Sequence, residues 1–338
     1  MIIKRRIETE GNLKPEVYNL LNNLPYEVLH HKRYGYLHPL GIYNRSLSRI
    51  FHNFNRVLTQ ISEVYKEIQS IEPHNLDISD FNSGTLLETQ SELLHSLQSH
   101  IDDCFHILIA TSHYPDMSQI NSKRKKAMDR SASQWLYITK HPTFHYFKNN
   151  IQEYKTFIDV IVNTLKHRHG RLCDILMIND YAKRLGYYVE TSGVGSDDEV
   201  FVGPDVNIHP DNTGFSYSRD LSFHFYNLYE ISHHLKNALL MSFKKQYGIQ
   251  LEDNFYFEEV DVGLNDVAQR ICELNLQFFP KEYPKPVPMI EWNNEHNNTL
   301  ILSLDKNFHL NSDFFGPIRT IASWTADGTT KTFRLPIG

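Results

Sequence analysis

From Pro15 to about Phe278, apolar residues return mostly every three or four positions, the period of helices with one buried face. Pro15 opens a short helix that runs through Leu24, because proline is tolerated at a first helical position. The clearest element is predicted over Ile42–Ile71, with Leu47, Ile50, Phe54, Leu58, Ile61, Val64 and Ile68 on one stripe and Pro73 as the stop. A second long helix carries Leu86, Leu93, Leu97, Ile101, Cys104, Phe105 and Leu108 inward. Its outward stripe is Glu88, Glu92, His95, Ser99, Asp102 and His106. A third is expected from Ile151 to about Tyr181 on an Ile151, Tyr154, Ile158, Ile161, Leu165 seam, with Gly170 bending or interrupting it. Further helices are expected from Ser218 to Gln246, closed by Gly248, and from Val262 to Phe278.

The period changes twice. Strand-like runs after Gly186 and after Glu199 flank a glycine-rich connection and read as a hairpin at about 186–203 set between helices. Pro280, Pro284, Pro286 and Pro288 form a linker, and beyond it Thr299–Leu304, Ile318–Thr325 and Thr330–Leu335 read as strands. The last two are expected to pair across Ala326-Asp327-Gly328. The expected fold is therefore mainly α (α+β): an antiparallel helical bundle with an inserted β-hairpin and a small C-terminal β unit. The expected divisions are an N-terminal segment 1–83 with one long helix, a bundle over 84–279, and a β unit over 289–338.

Composition narrows the class. The 338 residues carry 34 Lys and Arg against 40 Asp and Glu, a net charge of −6, which removes a wholesale basic footprint for duplex DNA and leaves room for a local patch. No apolar run reaches the ~18 residues of a membrane span, and the basic start turns acidic before a signal-peptide core forms. A cytoplasmic chain with no membrane partner is expected. Cys104, Cys173 and Cys272 are far apart in apolar text read as helical, which suits buried thiols in a reducing compartment rather than a disulfide or zinc site.

The most specific chemistry lies in Asp159-Val-Ile-Val-Asn-Thr-Leu-Lys-His-Arg-His-Gly-Arg. On a helix, Asp159, Asn163 and His167 fall at i, i+4 and i+8, a polar stripe turned away from the Ile/Leu seam. Asn163-Thr-Leu-Lys-His167 resembles the signature of the HEPN superfamily, helical proteins of RNA cleavage, toxin–antitoxin pairs and antiviral defence. The family's Arg position is Val162 in this chain. The resemblance implies a homodimer, an RNA target and a metal-independent endoribonuclease, or a degenerate RNase, with no cofactor. It makes His167 the acid or base, Asn163 a positioning group, and Arg171, at i+4 from His167 if the helix passes Gly170, the favoured phosphate partner beside Arg168 and Lys166.

A second candidate is Lys123-Arg124-Lys125-Lys126, with Arg130 and Trp135 downstream, a grip on a nucleic-acid backbone with a ring for stacking. Nineteen histidines, with Glu92-x-x-His95 and Glu230-x-x-His233, raise a metal reading, but those two motifs do not share an inward orientation and no metal is expected. The alternative from another class is a non-catalytic binding or scaffold module for RNA, a nucleotide or a protein partner.

Overall fold

The computed structural model describes residues 2–6, 15–69, 83–168, 170–178, 183–194, 200–210, 214–251, 262–274, 279, 282, 287–293, 299–305 and 319–322. Helices α1 (Val17–Asn22), α2 (Pro39–Gln69), α3 (Gly84–Ala110), α4 (Ser122–Met128), α5 (Ala132–Ile138), α6 (Phe144–His167), α7 (Tyr217–Tyr247) and α8 (Val262–Glu273) follow in chain order. The strands are β1 (Ile2–Arg6), β2 (Arg171–Ile178), β3 (Lys183–Val194), β4 (Val200–Pro204), β5 (Phe215–Ser216), β6 (Val287–Asn293), β7 (Thr299–Asp305) and β8 (Arg319–Ala322). The fold is mainly α with antiparallel sheet.

Four long helices form the bundle. Contacts of α2 with α3 pair Ser46 with His100 and Asn53 with the carbonyl of Glu92, so the two run antiparallel. Phe144 and Phe147 of α6 meet Phe105 of α3, while Gln98 reaches Asp159, which is again antiparallel. α7 passes α6 antiparallel, with Tyr146 at His234 and Tyr154 at His224. One pole of the bundle therefore gathers the starts of α2 and α6 and the ends of α3 and α7. The other pole gathers the opposite ends and abuts the sheet, where the Lys183 ammonium donates to the carbonyl of Ile68.

Local signals explain the boundaries. Asn121 and Ser131 cap α4 and α5 through their side-chain oxygens, satisfying otherwise orphaned N–H groups. Gly248 ends α7 with φ 67°, a left-handed turn that a Cβ would disfavour. The predicted phase of α3 holds: Leu97 is 2% and Ile101 1% exposed, while Glu92 and Asp102 face out. Leu97→Ala is expected to cost about 2–5 kcal/mol through lost burial and a residual cavity, measured by urea unfolding. A loss under ~0.5 kcal/mol would mean that this position behaves as surface.

The expected helix to Tyr181 is corrected. α6 ends at His167, where the amides of Arg168 and Gly170 both donate to the carbonyl of Thr164 at 3.1 and 3.2 Å. A Cβ on Gly170 would stand 2.9 Å from that carbonyl oxygen, so glycine permits the close turn into β2. Leu172 through Ile178 are all buried, and a strand covered on both faces loses its alternation and imitates a helix segment. Cys173 accordingly lies on a strand, and burial pushes its thiol up to about 12.

The expected hairpin is present as β3–β4, but β3 also pairs with β2 over Arg171↔Glu190 to Ile178↔Lys183. The larger sheet runs β4-β3-β2-β8, with β5 against β3, and the smaller runs β1-β7-β6. Strands expected to form one C-terminal unit thus divide between the sheets: β8 joins β2, and β7 joins β1. Pro288 of the expected linker lies within β6, opposite Leu304. Residues 323–338, where the second hairpin strand was expected, lie outside the described residues, as do Pro280, Pro284 and Pro286. Among the described residues no helix is long and apolar enough to cross a membrane.

Candidate functional site

The end of α6 carries part of the predicted constellation. Asn163, His167 and Arg168 are exposed, and Asp159 is half-buried on the same side. A half-open groove of about 220 Å³ runs along this face, lined by Thr156, Asp159, Val160, Asn163, Thr164 and Arg168. Its charges are partly engaged. Asp159 accepts from Lys155 and from Gln98, and Lys166 donates to the Gln98 side-chain oxygen at 3.0 Å.

Two predicted features of a cleavage centre are not assembled in this chain. Val162, at the family's Arg position, is 0% exposed and packs in the core, so that position faces away from His167. Arg171 does not share His167's helical face, because the helix has ended; it stands on β2 and forms an ion pair with Glu190 of β3. Tyr188 adds its hydroxyl to the same carboxylate at 3.3 Å. Arg171 is therefore spent on joining two strands, which corrects its assignment as phosphate partner.

Lys123, Arg124, Lys125 and Lys126 are exposed on α4, but at the first pole, away from the sheet and from His167. α4 packs on α5, and Tyr137 of α5 lies against Phe144 at the start of α6. The 24 residues of α6 separate this pole from His167 by roughly 35 Å at 1.5 Å per residue. The two predicted basic groups do not form one cleft.

The first pole has more cations than the Lys123–Lys126 run suggested. Tyr34 meets Trp135 of α5, which brings exposed Lys32 and Arg33 beside α5. Tyr247 at the end of α7 lies 4.4 Å from the His113 ring, bringing exposed Lys244 and Lys245 of the last helical turn to the same end. Arg130 and Lys140 are exposed there too. Among the described residues none of these Lys and Arg side chains forms an ion pair. Among the described residues the exposed acids of this end are Glu27, Asp116 and Asp129. Lys140 has φ 54°, a left-handed conformation in which glycine is less strained.

Two histidines at this pole bind protons less readily than a free ring. Burial, then the neighbouring charges of His113 and Arg33, lower the proton affinity of His30. His141, buried between Thr143, Ser242 and Gln246, is lowered to about 4 by desolvation.

A third concentration of polar groups is sealed inside. Asp220 in the first turn of α7 accepts from Gln90 of α3 and Tyr187 of β3, both at 2.8 Å, and lies 3.3 Å from the His224 ring. His224 in turn contacts the Tyr154 hydroxyl of α6 at 2.9 Å. All five side chains are buried, which suits a structural tie rather than a site reached by a substrate. Of the metal motifs considered, Glu230 pairs with His234 at 3.3 Å and accepts from Tyr226. Among the described residues no three His, Cys, Asp or Glu side chains converge on a metal position.

Compared with protein-family models, with curated proteins and with solved structures, this chain matches none.

Proposed function

We propose that this protein is an RNA-binding helical module that holds RNA at the cationic pole and does not cut it, a degenerate form of the HEPN-like effector suggested by Asn163 and His167. The observation that carries the reading is the convergence of exposed, unpaired Lys and Arg side chains at one end of a chain whose net charge is −6. Random placement on an acidic chain spreads cations evenly among acids, whereas a polyanion partner favours a local excess of cations, here ten exposed Lys and Arg against three exposed acids among the described residues. The compartment in this reading is the cytoplasm, where three separate thiols stay reduced.

The binding test is fluorescence anisotropy of labelled RNA across a salt series. Each phosphate contact to single-stranded RNA contributes roughly −0.7 to the slope of log K against log salt. Replacing Lys123, Arg124, Lys125 and Lys126 together by alanine is therefore expected to flatten the slope by roughly 3 and weaken all sequences alike. An unchanged slope would remove α4 from the interface.

A second reading, cleavage by a homodimer, draws on the exposed Asn163, His167 and Arg168 stripe, which a partner copy would double. Its test is an RNA degradation assay with and without chelator. No cleavage is expected. Cleavage that survives chelation and is abolished by His167→Ala would establish this second reading instead.

A further inference from the structure

The cationic pole also carries a built aromatic ledge. Tyr34 is held in place because its single hydroxyl proton is shared between the backbone carbonyls of Ser112 and His113, at 3.3 and 3.0 Å. Tyr36 stacks beside it with ring centroids 6.0 Å apart, and Trp135 meets it edge-on at 5.4 Å. Tyr114 leans on the same ring at 5.1 Å and leaves 47% of its surface in solvent. A tyrosine that stays this exposed while the neighbour it leans on is anchored through its hydroxyl offers a ring face that loses little conformational entropy on binding. Arg33 sits next to Tyr34 in the chain, and Lys123–Lys126 lie on the helix packed beside Trp135's own helix, so ring faces and cations occur together.

We propose that Tyr114, backed by Tyr34 and Trp135, stacks an unpaired base, so that the partner of this pole is single-stranded rather than duplex RNA. This rests on the RNA-binding reading above and adds the substrate class. In a duplex each base face is already covered by its neighbours, so a duplex meets only the cations. A single strand lays its backbone on the cations and turns a base onto the ring, a contact tolerant of sequence because every base has a π-face.

The test uses the whole chain with two labelled probes, a uridine oligomer of about 12 nucleotides and an RNA duplex of the same length. Tyr114→Ala is expected to weaken the oligomer by roughly 5- to 150-fold, the range of one lost base stack. Duplex affinity and both salt slopes are expected to stay unchanged, and Tyr114→Trp to restore oligomer binding. Because Tyr114 is half in solvent, the variants are expected to melt as wild type does. Equal binding of oligomer and duplex by wild type, or oligomer affinity unmoved by Tyr114→Ala, overturns the stacking inference while leaving the cationic reading intact. Failure of both probes to bind at low salt overturns the RNA reading itself. A Tyr114→Ala protein that changes sedimentation mass with no change in RNA affinity makes the ledge a protein interface and also overturns the inference.

Discussion

Acidification from pH 7 to pH 3 is expected to remove about 5 kcal/mol of stability, through the balance of three buried groups. His100, held between Ser46 and Cys104, has its proton affinity lowered from 6.5 to about 3, chiefly by desolvation and then by the Arg49 charge. His141 is lowered from 6.5 to about 4 by desolvation. In the unfolded chain both rings protonate below about 6.5, while in the folded chain they stay neutral until about 4 or 3, so unfolding takes up protons and stability falls with pH. At ~1.4 kcal/mol per unit, the differences amount to about 5 and about 3 kcal/mol as upper bounds.

Glu282 acts in the opposite sense. Desolvation raises its carboxyl from 4.5 to about 7, against the opposing pull of Arg219 and the amides of Ser216 and Phe279. A folded-state affinity above the unfolded one costs stability as pH rises from about 4.5 to about 7, so acid returns about 3 kcal/mol. Net loss of about 5 kcal/mol is as large as the whole stability of many domains, ~5–15 kcal/mol. Between pH 5 and 6 these three groups give a net uptake of about one proton on unfolding, ~1.4 kcal/mol per pH unit. Urea titrations across that interval are expected to show the slope roughly double in Glu282→Gln and nearly vanish in His100→Asn, which keeps a partner for Ser46 without a titrating ring. A His100→Asn slope equal to wild type would refute the assignment.

The second large effect is expected at Asp220. Its carboxylate joins α3 through Gln90, β3 through Tyr187 and, by way of His224, α6 through Tyr154. Burial first, and then the Asp220 charge, keep the Tyr187 and Tyr154 hydroxyls protonated as donors. Removing one member of a buried network leaves the others desolvated without partners, so Asp220→Ala is expected to cost about 3–5 kcal/mol. Asp103, paired with Arg49 at the surface at 3.2 Å, is the control: Asp103→Ala is expected to cost about 0–1 kcal/mol. Urea unfolding of both variants decides it. An Asp220→Ala loss no larger than the control would mean that water replaces the carboxylate.

The comparison of Asp220 with Asp103 shows where sequence reading stops. Both are acids on helices in mixed text, and nothing local marks one as buried and the other as partly exposed. What the chain by itself determined were the features set by short-range physics. The 3–4 spacing of Leu47 to Ile68 and of Leu86 to Leu108 specifies amphipathic helices, since one side of a 3.6-residue turn must leave water. Gly248 ends α7 because its left-handed turn favours glycine, and the strand-like runs read before and after the glycine-rich text do pair, as β3 with β4. Asn163 and His167 share an exposed face at one-turn spacing, as read from the sequence alone.

Tertiary structure decided the rest. Leu172–Ile178 is a strand because β3 and β8 flank it and both faces are covered, a condition that erases the period on which a local reading depends. Arg171 moved from a catalytic role to a strand tie for the same reason, because its partner Glu190 becomes a neighbour only through sheet register. The cationic pole was legible only as Lys123–Lys126 with Arg130 and Trp135 downstream. Lys32, Arg33, Lys244 and Lys245 join it because antiparallel packing sets the starts of α2 and α6 beside the ends of α3 and α7. Residues more than a hundred positions apart in the chain thereby share one surface, and local sequence carries periodicity and turn chemistry but not which helix ends meet.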